Sequence, residues 1–324
     1  MSVEPLLQIE QLERHFGGTR LLLGGHTPRV HAVQGVQLNL EQGRTLGIVG
    51  ESGCGKSTLA RMLVGLDRPS AGRIRLAGHD IEGGRTADGK PLATLVQYVF
   101  QDPVSSLNPR KTVRQILSAP MIYLLKMNRA ARERRLEELM DAVNLRPEFL
   151  DRYPHEFSGG QAQRIGIARA LAADPSIVVL DEPVSALDVS VQAQVLNLLA
   201  DLKRRFGLTY IFISHDLSVV ESISDRVAVM YFGRIVELAP ARLLFGAPRH
   251  PYTRLLLDSA PVPGKRHIQS EVEPAELPNP YAPPPGCAFA ARCARATGQC
   301  TRAVPELDSR DDSESLAACY HPLT

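Results

Sequence analysis

Gly50-Glu51-Ser52-Gly53-Cys54-Gly55-Lys56-Ser57-Thr58 follows a short apolar run, residues 45–49, and precedes Leu59, Met62, Leu63 and Leu66 at helical spacing. Strand, glycine-rich turn and helix form the setting in which G-x-x-x-x-G-K-[ST] is a phosphate-binding loop. The glycines let the backbone curl until successive N–H groups point at phosphate oxygens, and the helix N-terminus adds positive potential. Lys56 is expected to reach the β- and γ-phosphates, and the Ser57 hydroxyl to take a Mg²⁺ position. Gly50, Ser52, Gly53, Cys54, Gly55 and Thr58 complete the expected nucleotide-binding set. An ordinary glycine turn is the plainer reading, and it loses once the strand and helix flanks are counted. The loop implies a bound nucleoside triphosphate.

About 125 residues downstream, Ile177-Val178-Val179-Leu180 reads as a buried strand ending in Asp181-Glu182. In a doubly wound sheet such a strand end faces the phosphate loop. Asp181 is then placed to hold Mg²⁺ through its water shell, and Glu182 to polarise a water against the γ-phosphate. Alone, an acidic pair at a strand end is a common solubilising edge; beside a phosphate loop the functional reading prevails. Phe157-Ser158-Gly159-Gly160-Gln161 opens a helix carrying Ile165, Ile167, Ala168 and Leu171. Ser158 reads as its N-cap. A second serine- and glycine-bearing helix start is also a second anion site, one more than a single nucleotide needs.

Composition limits the rest. The 324 residues accommodate one large domain and a smaller one, and 44% hydrophobic content supplies a core. Thirty-seven basic and 35 acidic residues leave a net charge of +2 without single-sign runs, which argues against a nucleic-acid surface. No apolar run reaches the roughly 18 residues of a membrane span and no signal pattern opens the chain, so a cytosolic protein is expected. Residues 6–12 and 31–40 read as antiparallel, half-buried strands around a Gly-rich loop, residues 17–29. Phe16 is either core or a stacking platform for an adenine ring. Residues 72–81 read as strand with a glycine-marked turn, and residues 111–150 as helical, with Asn128 as a cap. Residues 226–238 read as a hairpin around Phe232-Gly233. Beyond Ser259 apolar periodicity disappears, and ten of the 24 prolines fall there. A linker and a small appendage are expected.

The signature at Ser158-Gly159-Gly160-Gln161 resembles that of ATP-binding-cassette (ABC) ATPases, and the resemblance extends over most of the chain. It takes in Phe16 as the A-loop aromatic, residues 50–57, Gln101 as the Q-loop, Asp181-Glu182, Ser185-Ala186-Leu187-Asp188 as the D-loop, and His215 as the switch histidine. It implies an α/β fold: a RecA-like P-loop core with an antiparallel β subdomain, an inserted helical subdomain, and here a small C-terminal cysteine-containing domain. The corresponding boundaries are 1–258 for the ATPase domain, with the helical subdomain at about 102–162, and 259–324 for the appendage. It also implies that ATP is the nucleotide, that Gln101 ligates Mg²⁺, that His215 helps position the attacking water, and that Asp188 makes a dimer contact. It further implies that two cassettes pair head to tail, so that Ser158, Gly159, Gly160 and Gln161 act in trans on the partner's nucleotide. Ala162 stands where many relatives carry a basic residue, a departure expected to lower phosphate-side electrostatics slightly.

Gln101-Asp102-Pro103, Ser105-Ser106-Leu107-Asn108-Pro109-Arg110, Arg152-Tyr153-Pro154-His155, Arg249-His250-Pro251-Tyr252-Thr253 and Pro283-Pro284-Pro285-Gly286-Cys287 are similar to the peptide-importer branch. The long early loop is similar to its second, F-type ATPase subunit. That likeness implies a peripheral protein at the cytoplasmic face of the inner membrane. Its partners would be a homologous, non-identical ATPase, two membrane permease subunits and, through the complex, a periplasmic or extracellular solute-binding protein. Nickel importers share much of the pattern, and a soluble, non-transport ABC ATPase is the more distant alternative.

Cys287, Cys293, Cys300 and Cys319 are separated by five, six and eighteen residues. Small buried residues, disulfides and zinc are competing readings; disulfides are disfavoured in a reducing compartment, and structural zinc favours tighter C-x₂₋₄-C spacing. A proline-rich segment with little apolar surface gains from a metal staple. Similar tails in peptide-importer ATPases resemble iron–sulfur domains, which implies a [4Fe–4S] cluster, with Zn²⁺ as the rival.

Overall fold

The computed structural model describes residues 4–18, 27–82, 84–86, 89–259, 277–309 and 314–323. Most of the early Gly-rich loop therefore lies outside the described residues. The chain opens with β1 (Leu7–Gly17), β2 (Arg29–Leu40) and β3 (Thr45–Val49), and the phosphate loop leads into α1 (Lys56–Leu63). A meander of β4 (Ala71–Leu76), β5 (His79–Glu82) and β6 (Arg85–Thr86) follows, then β7 (Val96–Val99). Three helices come next: α2 (Val113–Tyr123), α3 (Arg129–Ala142) and α4 (Gly159–Leu171). The chain then alternates through β8 (Ile177–Asp181), α5 (Val189–Phe206), β9 (Thr209–Ile213), α6 (Leu217–Ile223), β10 (Arg226–Tyr231) and β11 (Arg234–Pro240). It ends with α7 (Ala241–Gly246), α8 (Pro251–Ser259), α9 (Gly298–Arg302) and β12 (Leu316–Ala317).

Two sheets organise these elements. The smaller, in the order β2-β1-β4-β5-β6, is antiparallel throughout. Its inward residues, among them Ile9, Leu12, Val33, Val36 and Ile74, share one apolar cluster with Leu59 and Met62 of α1. The larger sheet runs β12-β11-β10-β3-β9-β8-β7, and the five strands from β10 to β7 are parallel. Strands β3, β8 and β9 are buried at every position, as a parallel sheet covered on both faces requires. Being parallel neighbours, β3, β9, β8 and β7 all end at one edge. That edge receives the phosphate loop, His215, Asp181-Glu182 and Gln101, although these lie far apart in sequence.

The helical block is divided rather than continuous. Thr112 caps α2 in a reciprocal box with Gln115, and the Asn128 side chain accepts from the Ala131 N–H at the start of α3. Lys126, at φ 54°, turns the chain between them. Ile116, Leu117, Met121, Leu136, Leu139 and Met140 pack into a second cluster with Ile165 and Ala168 of α4. The expected hairpins are present. Ala77 and Gly78, at φ 49° and 78°, turn β4 into β5, and Phe232 and Gly233, at φ 45° and 80°, turn β10 into β11. Positive φ at both loop positions matches the twist of the flanking strands. The last strand, β12, pairs antiparallel with β11 through Glu237↔Ala317 and Leu238↔Leu316, so the end of the described chain lies on the large sheet.

Candidate nucleotide site

One cleft of about 610 Å³ lies at the carboxyl edge of the large sheet, a size suited to a nucleotide-scale ligand. Ser52, Gly53, Gly55, Lys56, Ser57, Thr58, Gln101, Glu182 and His215 line it together. The loop is built as close backbone approach requires. At Gly50 (φ 155°) an added Cβ would stand 2.1 Å from the Met230 carbonyl oxygen, and at Gly55 (φ 106°) 2.3 Å from that of Ala32. Any side chain at either position collides with fixed backbone. Lys56 is nearly buried, and its ammonium donates to the carbonyls of Gly50 at 2.7 Å and Glu51 at 2.9 Å. Those bonds aim the cation along the loop. Cys54 is buried beside it, and burial pushes its thiol pKa up against the lowering effect of the Lys56 charge.

Three of the residues singled out by sequence meet side chain to side chain. Gln101 Nε2 donates to Glu182 Oε2 at 2.8 Å, and His215 Nδ1 lies 3.1 Å from Glu182 Oε1. Glu182 itself sits in the left-handed region, at φ 47°, with its N–H donating to the Ile213 carbonyl at 2.9 Å. For a residue with a Cβ this conformation is strained and persists only when its surroundings impose it. Asp181 is buried, and its carboxylate accepts from the Tyr98 hydroxyl. Burial and that bond to Asp181 raise the tyrosine pKa well above its ordinary value, so Tyr98 remains a neutral donor.

Other expected residues lie elsewhere. Asp181, Gly50 and Cys54 are not among the lining residues of the cleft, and neither are Ser158, Gly159, Gly160 and Gln161. Ser158 caps α4: its hydroxyl accepts from the Gln161 N–H at 3.4 Å, and Gln161 Oε1 accepts from the Ser158 N–H at 3.1 Å. An added Cβ at Gly160 would stand 2.6 Å from Val191 Cγ1. Asp188 is exposed at the start of α5, next to Val189, which is 81% exposed. Phe16 is not core: it is 38% exposed, with the Arg14 guanidinium 4.5 Å from its ring centre, while its cross-strand partner Val30 lines the cleft. Ala162, on α4, is fully buried.

Sequence reasoning missed part of the wall. Val30, His31, Ala32, Phe232 and Gly233 contribute, and so do Leu277, Pro278 and Pro280 from the proline-rich region. The His31 N–H donates to the Pro280 carbonyl at 3.2 Å, which ties that region to β2. The four late cysteines line a separate chamber of about 10 Å³ with His250 and Phe289. Burial raises the Cys287 thiol pKa, and the other three thiols push it the same way. Among the described residues no group of three or more His, Cys, Asp or Glu is placed to hold a metal ion, so the expected iron–sulfur site is not supported by that geometry.

Two family models match the chain. A family model described as ABC transporter matches residues 33–185, and one described as oligopeptide/dipeptide transporter, C-terminal region, matches residues 236–300. The dipeptide transport ATP-binding protein DppF of Escherichia coli (strain K12) is 48% identical over 321 residues, 98% of this chain and 94% of that protein. The di/tripeptide transport ATP-binding protein DppF of Pseudomonas aeruginosa (strain UCBPP-PA14) is 46% identical over 323 residues, 98% of each. The dimeric ATP-binding cassette MJ0796, solved in a post-hydrolysis state with ADP and Pi, superposes with a TM-score of 0.62 at 26% identity, covering 73% of this chain and 99% of that one. With near-full-length identity at this level, the chain belongs to the ABC transporter family.

Proposed function

We propose that the chain binds and hydrolyses ATP and that this hydrolysis energises a membrane importer of di- and oligopeptides. The observation that carries the ATPase reading is the meeting of the phosphate loop with Gln101, Glu182 and His215 in one cleft. Lys56 places its charge on the β- and γ-phosphates. Glu182 accepts the proton of the attacking water, and His215 and Gln101 hold its carboxylate from either side. Hard oxygen donors suit Mg²⁺. Ser57 and Gln101, with Asp181 behind them, would hold the ion, which neutralises phosphate charge. Ser158, Gly159, Gly160 and Gln161 serve the nucleotide of a second cassette. Their separation from this chain's own cleft, the exposed Asp188-Val189 corner and the dimeric MJ0796 cassette support that pairing.

The peptide reading rests on the transport functions of the two relatives and on the C-terminal family match. Among the described residues no helix is long and apolar enough to cross a membrane. The solute path then belongs to two permease subunits, fed by a solute-binding protein, and this chain works with a homologous, non-identical ATPase at the cytoplasmic face. We retain the division into an ATPase domain, residues 1–258, with its helical subdomain at about 102–162, and an accessory domain, residues 259–324. For the accessory domain we propose an iron–sulfur cluster on Cys287, Cys293, Cys300 and Cys319, with zinc as the alternative. That the four cysteines, soft donors that suit either, line one chamber favours this reading, although as placed they do not form a ligand set. The function is tested by uptake of a labelled dipeptide into vesicles bearing the whole complex. ATP-dependent uptake lost with Lys56→Ala supports it, and uptake of another solute alone overturns the peptide assignment.

A further inference from the structure

The second residue of the phosphate loop, Glu51, carries a carboxylate at the start of a loop built for polyphosphate, just outside the lining of the cleft itself. Two bonds from the far end of the chain engage it. Arg292 donates from one terminal nitrogen to Glu51 Oε2 at 2.9 Å and from the other to Oε1 at 3.0 Å. This is a bidentate fork, the strongest arrangement available to the pair. The Arg292 side chain is only 11% exposed and Glu51 30%, so solvent screens the pair incompletely. Arg292 is held from behind: its guanidinium lies 5.6 Å from the Phe289 ring centre and 5.8 Å from that of Tyr231. Phe289, Tyr231 and Tyr252 form one aromatic nest, and the Glu51 N–H donates to the Tyr252 hydroxyl at 2.9 Å. The Glu51 carbonyl meanwhile takes a bond from Lys56. Loop, lysine and the four-cysteine region are thus one network, and Arg292 directly precedes Cys293.

We infer that Arg292 is a positioning residue of the nucleotide site, which acts through Glu51 by cancelling its charge and fixing the start of the phosphate loop. The inference rests on the ATP-binding reading above. Without Arg292 an unpaired carboxylate stands in the loop beside the cleft, and its repulsion of a phosphate ligand grows with ligand charge. The residue comes from the accessory region, so that region braces the phosphate loop rather than merely adjoining it.

Nucleotide affinity of the purified full chain, read with ATP, ADP and adenosine, tests this. Arg292→Gln is expected to weaken ATP binding about three- to tenfold, ADP less and adenosine little, with the loss shrinking as salt rises. Glu51→Gln/Arg292→Gln is expected to return ATP binding to within about twofold of the native chain, because the offending charge is gone. Glu51→Gln alone is expected to bind ATP at least as well as the native chain, and it serves if Arg292→Gln does not fold. Equal losses for ATP and adenosine, a double variant as weak as Arg292→Gln, or a weakened Glu51→Gln would each show a purely structural bridge and overturn the inference. Lys56→Ala keeps the two readings apart. If it also leaves ATP affinity unchanged, the ATP site itself is misassigned; if it alone abolishes binding, only the role of Arg292 fails.

Discussion

Gln101 and Glu182 stand at the ends of neighbouring parallel strands, β7 and β8, and a 2.8 Å bond joins their side chains across 81 positions of sequence. The amide occupies one carboxylate oxygen while His215 approaches the other. Glu182 is thereby oriented from two sides and by its own left-handed backbone. In the proposed role of base, a carboxylate so constrained loses little conformational freedom when the water arrives.

Glu182→Gln removes the base and leaves Lys56 and Ser57 intact. Steady-state hydrolysis by the complex, with the partner's own site disabled, is expected to fall by at least about 100-fold while ATP binding persists. Turnover near the native rate in that complex rules out the assigned role.

Ser158→Arg places a long cation at a helix start that does not line this chain's cleft. ATP affinity of the isolated chain is expected to stay unchanged, and ATPase activity of the assembled complex to collapse at the site completed by this signature. Loss of the serine cap also lowers stability by about 1 kcal/mol. An isolated variant that folds yet no longer binds ATP contradicts the trans arrangement.

Asp225 offers a pH test away from the site. Burial alone would raise its pKa, but bonds from Lys203 at 2.8 Å and from the Thr45 N–H at 2.7 Å outweigh it and hold the pKa below the ordinary aspartate value. A depressed carboxyl stabilises the fold fully above the unfolded pKa of about 3.9, and the contribution disappears as pH falls through the lower folded value. The denaturation midpoint of the native chain should therefore drop below about pH 4 more steeply than that of Asp225→Asn. Parallel curves for the two proteins would falsify the linkage.

Cys300→Ser tests the chamber. Anaerobically purified native protein is expected to be brown with about four irons per chain, and the variant colourless but still able to bind ATP. A colourless native protein with one zinc per chain replaces the cluster with a zinc staple, and absence of both leaves four packed thiols.

Much of the nucleotide cleft was legible because its parts are local patterns hung on strand ends. Residues 50–58, Asp181-Glu182 and His215 each follow an apolar run, and parallel pairing then brings the ends together. Asn128 and the Phe232-Gly233 turn were legible for the same reason: cap and turn chemistry acts over a few residues. The wall formed by Leu277, Pro278 and Pro280 was not, since nothing in a proline-rich stretch names what it will cover. Nor was the Glu51–Arg292 fork, whose members are 241 positions apart and individually ordinary. Phe16 was ambiguous as sequence because an aromatic on a strand fits either face.

The pairing of β12 with β11 has a consequence for biosynthesis. On the ribosome the cassette's other large-sheet strands emerge long before residues 316 and 317 do. Until then the outer edge of β11 around Glu237 and Leu238 lacks this partner, in a nascent chain surrounded by other nascent chains. Open strand edges recruit neighbours. Translation that stalls within the proline-rich stretch would prolong that exposure, and emergence of residues 316 and 317 closes it.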